Sequence, residues 1–301
     1  GGKGGSGGTI TITGGVVTVK NEARGAAIGG GENGDGGTIT IDGGAVTASS
    51  HNSGAAIGGG KGGSGGTITI NGGVVTANSD GLGAAIGSDI GGASGGTITI
   101  NGGVVNARST SGAAGIGGGV GASGGTITIN GGVVNASSKG RNPGGTSNGA
   151  AIGGGAGGAG GVITITGGVV TAKTDGGGAG IGGGGYGAGN KPAGAGGTVT
   201  ISGGEVTATS TQASGIGGGL GEKDNPYNQE DGAPGSFNTG ADGKAIIKTN
   251  SIADKTKEAN WKGTIFDGNN GKVYGKQELT GDLEIEAGKT LIVPEDGELT
   301  V

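Results

Sequence analysis

Hydrophobic and polar residues alternate in three short runs that recur seven times along the chain. The runs are TITI, VVTA and AAIGG or close variants of them, always in this order. The TITI runs are 29, 29, 30, 29, 36 and 36 residues apart and begin at Thr9, Thr38, Thr67, Thr97, Thr126, Val162 and Thr198. Two-residue alternation of β-branched residues, bounded by glycine, is typical of short strands. The pattern therefore predicts three strands in each repeat.

Substitutions between the repeats indicate which side of each strand faces water. The position before the inward valine is Val16, Ala45, Val74, Val104, Val133, Val169 or Glu205, so a charge is tolerated there. The next position is valine in all seven repeats: Val17, Val46, Val75, Val105, Val134, Val170 and Val206. We therefore expect the first position outside and the valine inside. In the TITI runs we expect one inward ladder of Ile10, Ile39, Ile68, Ile98, Ile127, Ile163 and Val199, with threonines outside.

A repeat of this size cannot bury its own apolar face, so neighbouring repeats must complete the core. Three strands per coil of about 29 residues, each stacked on its own copy at ~4.8 Å, make an all-β parallel β-helix, or β-solenoid, wound from a single chain. Parallel crossovers favour right-handed winding. We predict seven such coils of about 29–36 residues over residues 1–240.

Residues 241–301 have a different pattern. Glycine is scarcer, charge is higher, and Trp261, Phe266 and Tyr274 occur here. Apolar pairs recur every eight residues at Leu283/Ile285, Leu291/Val293 and Leu299/Val301. We expect a tighter solenoid segment that continues the first, with the aromatic residues filling the core at the transition. Because the chain stops inside a strand pattern, we expect a piece of a longer protein, truncated at this end.

Glycine accounts for 90 of the 301 residues, yet the chain has no Gly-X-Y period and only 5 prolines, which excludes collagen. Pairs such as Gly14-Gly15 are expected at corners that need positive φ. The GGG-x-GGSGG stretches fit either close-packed polyglycine or loops. The net charge of −5 comes without a basic stripe, so we expect no nucleic-acid partner. No apolar run suggests membrane insertion of this segment.

The repeat GGTITINGGVVTA…GAAIGGG and the tail NWKGTIF…GKVYG…AGKTLIVPEDGELTV resemble the Gly-rich β-helix regions of large surface proteins of Gram-positive, often gut-dwelling, bacteria. These regions are often labelled loosely as carbohydrate-binding. The resemblance covers nearly the whole chain and implies an extracellular, secreted or wall-anchored protein. It brings no functional residues with it. We expect a structural or adhesive segment, a stalk or adhesin, whose candidate partner is a host glycan or surface protein.

Distinctive side chains lie where the period breaks. Two long loops follow the third strand of the sixth and seventh coils, so we expect them to be neighbours on one edge and to form a composite ligand-binding patch. Its candidate residues are Tyr186, Asn190, Lys191, Asp224, Tyr227, Glu230 and Asp231. Recognition commonly resides in loops on a rigid scaffold. The aromatic residues Tyr186, Tyr227 and Phe237 could stack on sugar rings or anchor the loops.

Three other functions are open to the sequence. The outward threonines form a two-column array like the ice-binding face of some antifreeze proteins, interrupted by Val162, although threonine is also an ordinary solvent-facing strand residue. Acidic loop residues could hold Ca²⁺, the one cofactor considered; they are Glu32, Asp35, Glu222, Asp224, Glu230 and Asp231. A polysaccharide-active β-helix enzyme would need clustered carboxylates or bases. Arg24, Arg108 and Arg141 fall after the second strands of different coils without a carboxylate ladder, so we expect no enzyme.

Overall fold

The computed structural model describes residues 1–140, 148–187, 191–222, 230–279 and 282–300. Within these ranges, 28 short strands form four sheets. The only helix in the same ranges is a single 3-10 turn, Glu258–Asn260. No helix in this part of the chain is long and apolar enough to cross a membrane.

The first sheet is built from the TITI runs and one further strand. Its eight strands are parallel and follow chain order: β1 (Thr9–Ile12), β4 (Thr38–Ile41), β7 (Thr67–Ile70), β10 (Thr97–Ile100), β13 (Thr126–Ile129), β16 (Val162–Ile165), β19 (Thr198–Ile201) and β22 (Ser236–Asn238). Each run pairs with its own copy, so that Thr38 lies beside Thr67 and Ile39 beside Ile68. The coils are therefore stacked in register.

The second and third sheets repeat this arrangement. The second contains β2 (Val16–Asn21), β5 (Ala45–Ser50), β8 (Val74–Ser79), β11 (Val104–Ser109), β14 (Val133–Ser138), β17 (Val169–Thr174), β20 (Glu205–Ser210), β23 (Ile246–Thr249), β24 (Gly263–Asp267), β25 (Asn270–Tyr274) and β27 (Thr290–Ile292). The third contains β3 (Ile28–Gly29), β6 (Ile57–Gly58), β9 (Ile86–Gly87), β12 (Ile116–Gly117), β15 (Ile152–Gly153), β18 (Ile181–Gly182) and β21 (Ile216–Gly217). The prediction of a parallel β-helix with three strands per coil is confirmed.

One continuous core runs along the axis of the solenoid. In the second coil it contains Ile39 and Ile41 from the first sheet, Val46 and Ala48 from the second, and Ile57 from the third. All five are at most 1% exposed. The corresponding residues of the other coils extend the same columns, and the predicted inward ladder of the TITI runs is confirmed. Burial of these aliphatic columns is what the alternation in the sequence encodes.

The outward positions face water as expected. Val16, Val74 and Val169 are exposed, and Val16 at the first coil is 83% exposed. Glu205 takes the same outward position in β20, where its carboxylate lies 2.9 Å from the Lys248 ammonium on β23. Half-exposed ion pairs of this kind contribute little to stability. This position therefore tolerates a charge because it lies outside the core.

Glycine columns form the edge that follows the third sheet. A Cβ added to Gly60 would overlap the carbonyl oxygen of Gly31 in the preceding coil. A Cβ on Gly36 would likewise overlap the carbonyl oxygen of Gly65 in the following coil. The Gly60 N–H donates to the Gly34 carbonyl at 3.0 Å, so the backbone itself joins these coils. The GGG-x-GGSGG stretches are therefore close-packed polyglycine rather than loops.

A ladder of polar side chains runs along the corner between the first two strands of each coil. The Asn71 amide donates to Asp42 at 2.7 Å, Asn101 donates to Asn71 at 2.7 Å, and Asn130 donates to Asn101 at 2.9 Å. The Thr166 hydroxyl donates to Asn130 at 2.9 Å. Each of these turn residues therefore bonds to the same position one coil away.

The solenoid ends in an aromatic cluster. Phe237, on β22, is 2% exposed and occupies the inward column of the first sheet. Its ring meets Trp261 edge-on with centroids 5.1 Å apart, and Trp261 meets Tyr274 at 5.6 Å. Large rings here close a core that, elsewhere in the described ranges, contains only Ile, Val and Ala. Trp261 and Tyr274 thus lie at the end of the core, as expected, and Phe237 joins them.

The strands beyond this cluster differ from the regular coil expected for residues 241–301. Strands β23 and β24 continue the second sheet in parallel, but β25 pairs with β24 in the antiparallel direction. The Phe266 ring lies against Gly271, its partner across this hairpin, where a side chain would collide with it. Strand β25 then pairs in parallel with β27, and β26 (Lys276–Glu278) pairs with β28 (Glu298–Thr300). The division of the chain at residue 240 stays a prediction.

Gly60→Ala tests whether backbone contact holds the coils together. The new Cβ would overlap the Gly31 carbonyl, which cannot move without shifting a whole coil, so we expect the free energy of unfolding to fall by about 3 kcal/mol. Urea denaturation followed by circular dichroism measures this loss.

Gly14→Ala is the matched control, because no atom lies within 4 Å of its added Cβ. This variant should be unchanged or more stable by up to about 1 kcal/mol, since alanine restricts the unfolded chain. Equal losses in both variants would mean that glycine acts here through its conformational freedom and not through its size.

Candidate functional site

The long loops of the sixth and seventh coils are neighbours, as the sequence predicts. The Tyr186 N–H donates to the Leu220 carbonyl at 3.0 Å, which joins the segment after β18 to the segment after β21. An antiparallel bridge between Gly187 and Lys191 closes the first loop at its base. Tyr186 itself is half-buried. The backbone therefore brings the two loops to one edge of the solenoid.

Lys191 extends from its loop back over earlier coils. A Cβ added to Gly157 would lie 3.2 Å from the Lys191 Cβ, and one added to Gly121 would lie 3.1 Å from its Nζ. The aliphatic part of the side chain therefore follows a groove of glycines, while the residue as a whole stays exposed. The ammonium group of Lys191 is thereby presented at the side of the solenoid rather than at the loop tip.

The second loop contributes acidic residues next to a cavity. Asp231 Oδ1 accepts the Gly221 N–H at 2.9 Å, and Glu230 is exposed. Asp231 also lines a cavity of about 360 Å³ together with Leu220 and Ser251. The other candidate residues of the patch, Asn190, Asp224 and Tyr227, lie outside the described residues.

Of the two interpretations that the sequence left open for Phe237, sugar stacking and loop anchoring, burial of its ring excludes the first. It pairs with Val199 across β19 and β22 and points into the core. A signal was available in the sequence, since Gly235-Ser236-Phe237 repeats the Gly-Thr-Val order of the preceding coil. The long loop before it obscured this register. Phe237 is an anchor of the loop.

The threonine array has the geometry expected from the sequence. Thr38 and Thr67 in the outer column are exposed, while Thr40 and Thr69 in the second column are half-buried. Val162 occupies the outer column between Thr126 and Thr198. The array ends at Ser236 and Asn238 of β22. The face is therefore regular over five coils, altered at Val162 in the sixth, regular again in the seventh and altered in the final strand.

The acidic residues considered for Ca²⁺ are partly engaged within the protein. The Glu32 carboxylate accepts a hydrogen bond from the Arg24 guanidinium at 2.9 Å, which lowers the pKa of Glu32. Asp35 accepts the Ser64 N–H at 2.7 Å. Across the described ranges, no group of three or more His, Cys, Asp and Glu residues is arranged to hold a metal ion.

The arginines considered for catalysis lie on different parts of the fold. Arg24 is in the loop after β2, whereas Arg108 is on the outer face of β11, not in a loop as the sequence suggested. The strand is longer than the VVTA run, because its last residue, Ser109, is again inward. Arg141 lies outside the described residues.

Sequence reasoning missed a buried carboxylate. Asp89 interrupts the glycine column that contains Gly60 and Gly119, and it is fully buried. Its backbone N–H donates to Gly63 at 3.4 Å, against 3.0 Å for Gly60 to Gly34, so the Asp89 side chain widens the contact between the coils. The signal in the sequence is the SDIGG that replaces GGxGG in the third coil.

The environment of Asp89 disfavours its charged form. Neither carboxylate oxygen makes a hydrogen bond of ordinary geometry within the described residues. Burial raises the pKa of Asp89 to about 6, against the opposing effect of the Ile90 and Gly54 N–H groups and of the Lys61 ammonium. Asp89 therefore destabilises the folded chain as the pH approaches neutrality, because its buried carboxyl group then gains a charge.

Seven segments of the chain match the family model described as beta helix repeat: residues 6–32, 39–61, 68–93, 98–120, 127–156, 163–185 and 199–220. Together they cover more than half of the 301 residues. Each segment extends from near the first strand of a coil to the edge after its third strand, so the family's repeat corresponds to the coil. No curated protein and no solved structure matches the chain.

Asp89→Asn tests the cost of the buried charge. The folded pKa is about 6 and the ordinary value is 3.8, so between these pH values the folded chain binds more protons than the unfolded chain. The contribution of Asp89 to stability should therefore fall as the pH rises from about 4 to about 6. We expect Asp89→Asn to remove this fall and to raise the free energy of unfolding at neutral pH by roughly 2–3 kcal/mol.

The measurement is a series of urea titrations over this pH range, and the readout is the difference between wild type and variant. Asp242→Asn, in an exposed turn, is the control and should not change the profile. A difference that does not depend on pH would contradict the assigned burial cost.

Proposed function

Since the chain belongs to the β-helix repeat family, we propose that it is a rigid structural segment of an extracellular surface protein, a stalk or adhesin. The observation that supports this most is the unbroken register of the first sheet over eight strands. At the usual strand spacing these strands extend roughly 34 Å, and each coil is joined to the next by backbone hydrogen bonds. Such a stack suits a spacer that resists bending. The proposal includes no catalytic step.

Within this function we place recognition of a host glycan or surface protein at the edge loops. The regular faces repeat the same residues from coil to coil, so they offer little information to a partner. The edge after β18 and β21 instead carries Tyr186, Lys191, Glu230 and Asp231 on a rigid base. A tyrosine beside charges of both signs is a suitable contact surface for a polar partner.

A second candidate function, ice binding, has one supporting observation. The exposed threonine column is in register over five successive strands, from Thr9 to Thr126. A regular array of hydroxyl and methyl groups is the feature that such a function requires. The replacement of one threonine by Val162 and the change to Ser236 in β22 weigh against it.

The surface location can be tested on cells that carry the gene. Antibodies raised against the purified chain should label intact cells, and protease added outside should remove the label. The same antibodies should give no further signal after permeabilisation. Labelling that appears only in permeabilised cells would refute an extracellular segment.

Deleting residues 224–231 should abolish binding on arrays of host glycans and host surface proteins. It should leave the melting temperature unchanged, because β21 and β22 lie outside the deletion. Deletion of residues 141–147, an insertion in another loop, is the control and should retain binding. Binding that survives the first deletion but disappears with coils one to three would place the site on the regular faces. Cleavage of an arrayed glycan would favour the enzyme alternative instead.

Ice binding predicts thermal hysteresis, and we expect none in the parent chain. If hysteresis is observed, bulky replacements of Thr69 and Thr99 should abolish it while the circular dichroism spectrum stays unchanged. Both side chains lie outside the core, so the fold can accept the change. Thermal hysteresis that is lost in these variants would favour ice binding over the structural and adhesive function.

A further inference from the structure

A separate cavity lies at the end of the solenoid, and none of its lining residues belongs to the edge loops. It has a volume of about 340 Å³, and its walls come from the 3-10 turn, from the two residues before β24, from β25 with the residue after it, and from the turn before β28. Its charged and aromatic lining residues are Glu258, Trp261, Lys262, Lys272, Tyr274 and Asp296. We call this cavity the cap pocket. Its size is at the lower end of the range for small-molecule sites.

One wall of the cap pocket is held in place by a polar network. The Tyr274 hydroxyl donates to Glu258 Oε1 at 2.8 Å, and Lys272 Nζ lies 3.9 Å from the same oxygen. Lys272 Nζ is also 4.8 Å from the centroid of the Tyr274 ring. Burial and the neighbouring Glu258 carboxylate both raise the pKa of Tyr274, so its hydroxyl stays protonated. This wall is therefore pre-organised before any ligand arrives.

The other side chains of the cap pocket keep free bonding capacity. Among the described residues, Lys262 has no ion-pair partner for its ammonium and Asp296 has none for its carboxylate; both are exposed at the rim. The Lys262 chain is positioned over Gly275, whose added Cβ would lie 3.4 Å from Nζ. The Trp261 ring is 3% exposed, and its Nε1–H has no partner in the described part of the chain. At its rim the pocket thus offers a donor, Lys262, and an acceptor, Asp296, that form no ion pair within the described residues.

The combination of groups selects a class of ligand. A carboxylate only accepts hydrogen bonds and an ammonium only donates them, whereas a hydroxyl does both. An anion would be repelled by Glu258 and Asp296, and a cation by Lys262 and Lys272. A neutral ring bearing several hydroxyls can satisfy both kinds of group, while the Tyr274 and Pro294 rings supply apolar contact. We propose that the cap pocket binds one ring of a neutral sugar.

This proposal goes beyond the role given to the edge loops and does not depend on it. The cap pocket is formed by residues 258–296, so deletion of residues 224–231 leaves its lining intact. A sugar bound here would attach to the end of the solenoid rather than to its side. Failure of edge-loop binding and failure of cap-pocket binding are therefore separate results.

The fluorescence of Trp261 provides the test, because it is the only tryptophan in the chain. The intact chain is titrated with glucose, galactose, mannose and N-acetylglucosamine as neutral probes, and with the anion glucuronate and the cation glucosamine as charged probes. We expect at least one neutral sugar to change the emission with one-site saturation, and isothermal calorimetry to give the same affinity. The charged probes should give no saturable change.

Lys262→Ala and Asp296→Ala should each weaken binding at least about tenfold. Lys257→Ala and Glu295→Ala are matched controls outside the pocket lining and should stay within about twofold of wild type. Asp296 lies in an exposed turn, so its replacement tests the pocket without opening the core. The proposal is overturned if no neutral sugar binds, if a charged probe alone binds, or if the pocket variants bind as tightly as their controls.

Discussion

Contact between one backbone and the next, without side chains between them, is the constraint on which this structure depends. Along the edge after the third sheet, the place of a Cβ on Gly60 is already taken by the carbonyl of the coil before it. The same edge carries hydrogen bonds from coil to coil, such as that from Gly60 to Gly34. Glycine therefore sets the stacking distance, and the in-register columns of Ile39 and Val46 follow from it. The high glycine content is a packing requirement and not a sign of a flexible chain.

Much of this fold could be predicted because alternation in the runs encodes burial directly. The inward Ile98 and Val105 and the outward Val74 could each be placed from sequence alone. The polyglycine edge could not, since a run of glycines carries no side-chain pattern that separates packed backbone from loop. Nor could the reversal at β25, because the apolar pairs of the tail are compatible with either strand direction; Ile285 and Val293 prove to be exposed.

The location of the candidate site could be predicted from the sequence better than the arrangement of its side chains. Strand order fixed which loops are neighbours, so the meeting of Tyr186 with the segment at Leu220 followed from counting strands. The path of Lys191 over Gly157 depends on open space that only the three-dimensional structure reveals. The cap pocket combines Trp261, Tyr274 and Asp296 from separate segments of the tail, and no spacing in the sequence links them. The side chains with distinctive chemical groups are thus concentrated where the repeat is interrupted or ends.

The ladder of polar side chains at the corner gives the solenoid a dipole along its axis. From Thr166 through Asn130, Asn101 and Asn71, every hydrogen bond is donated toward the preceding coil, so the side-chain dipoles are aligned as peptide dipoles are aligned in a helix. At its donor end this row meets the Asp42 carboxylate. A negative charge is favourable there, because the donor end is the positive end of the aligned dipoles. The coils are therefore not interchangeable despite their similar sequences. A coil that carried a positive charge at the Asp42 position would oppose the whole row, whereas the same charge on an outward strand position would meet only solvent.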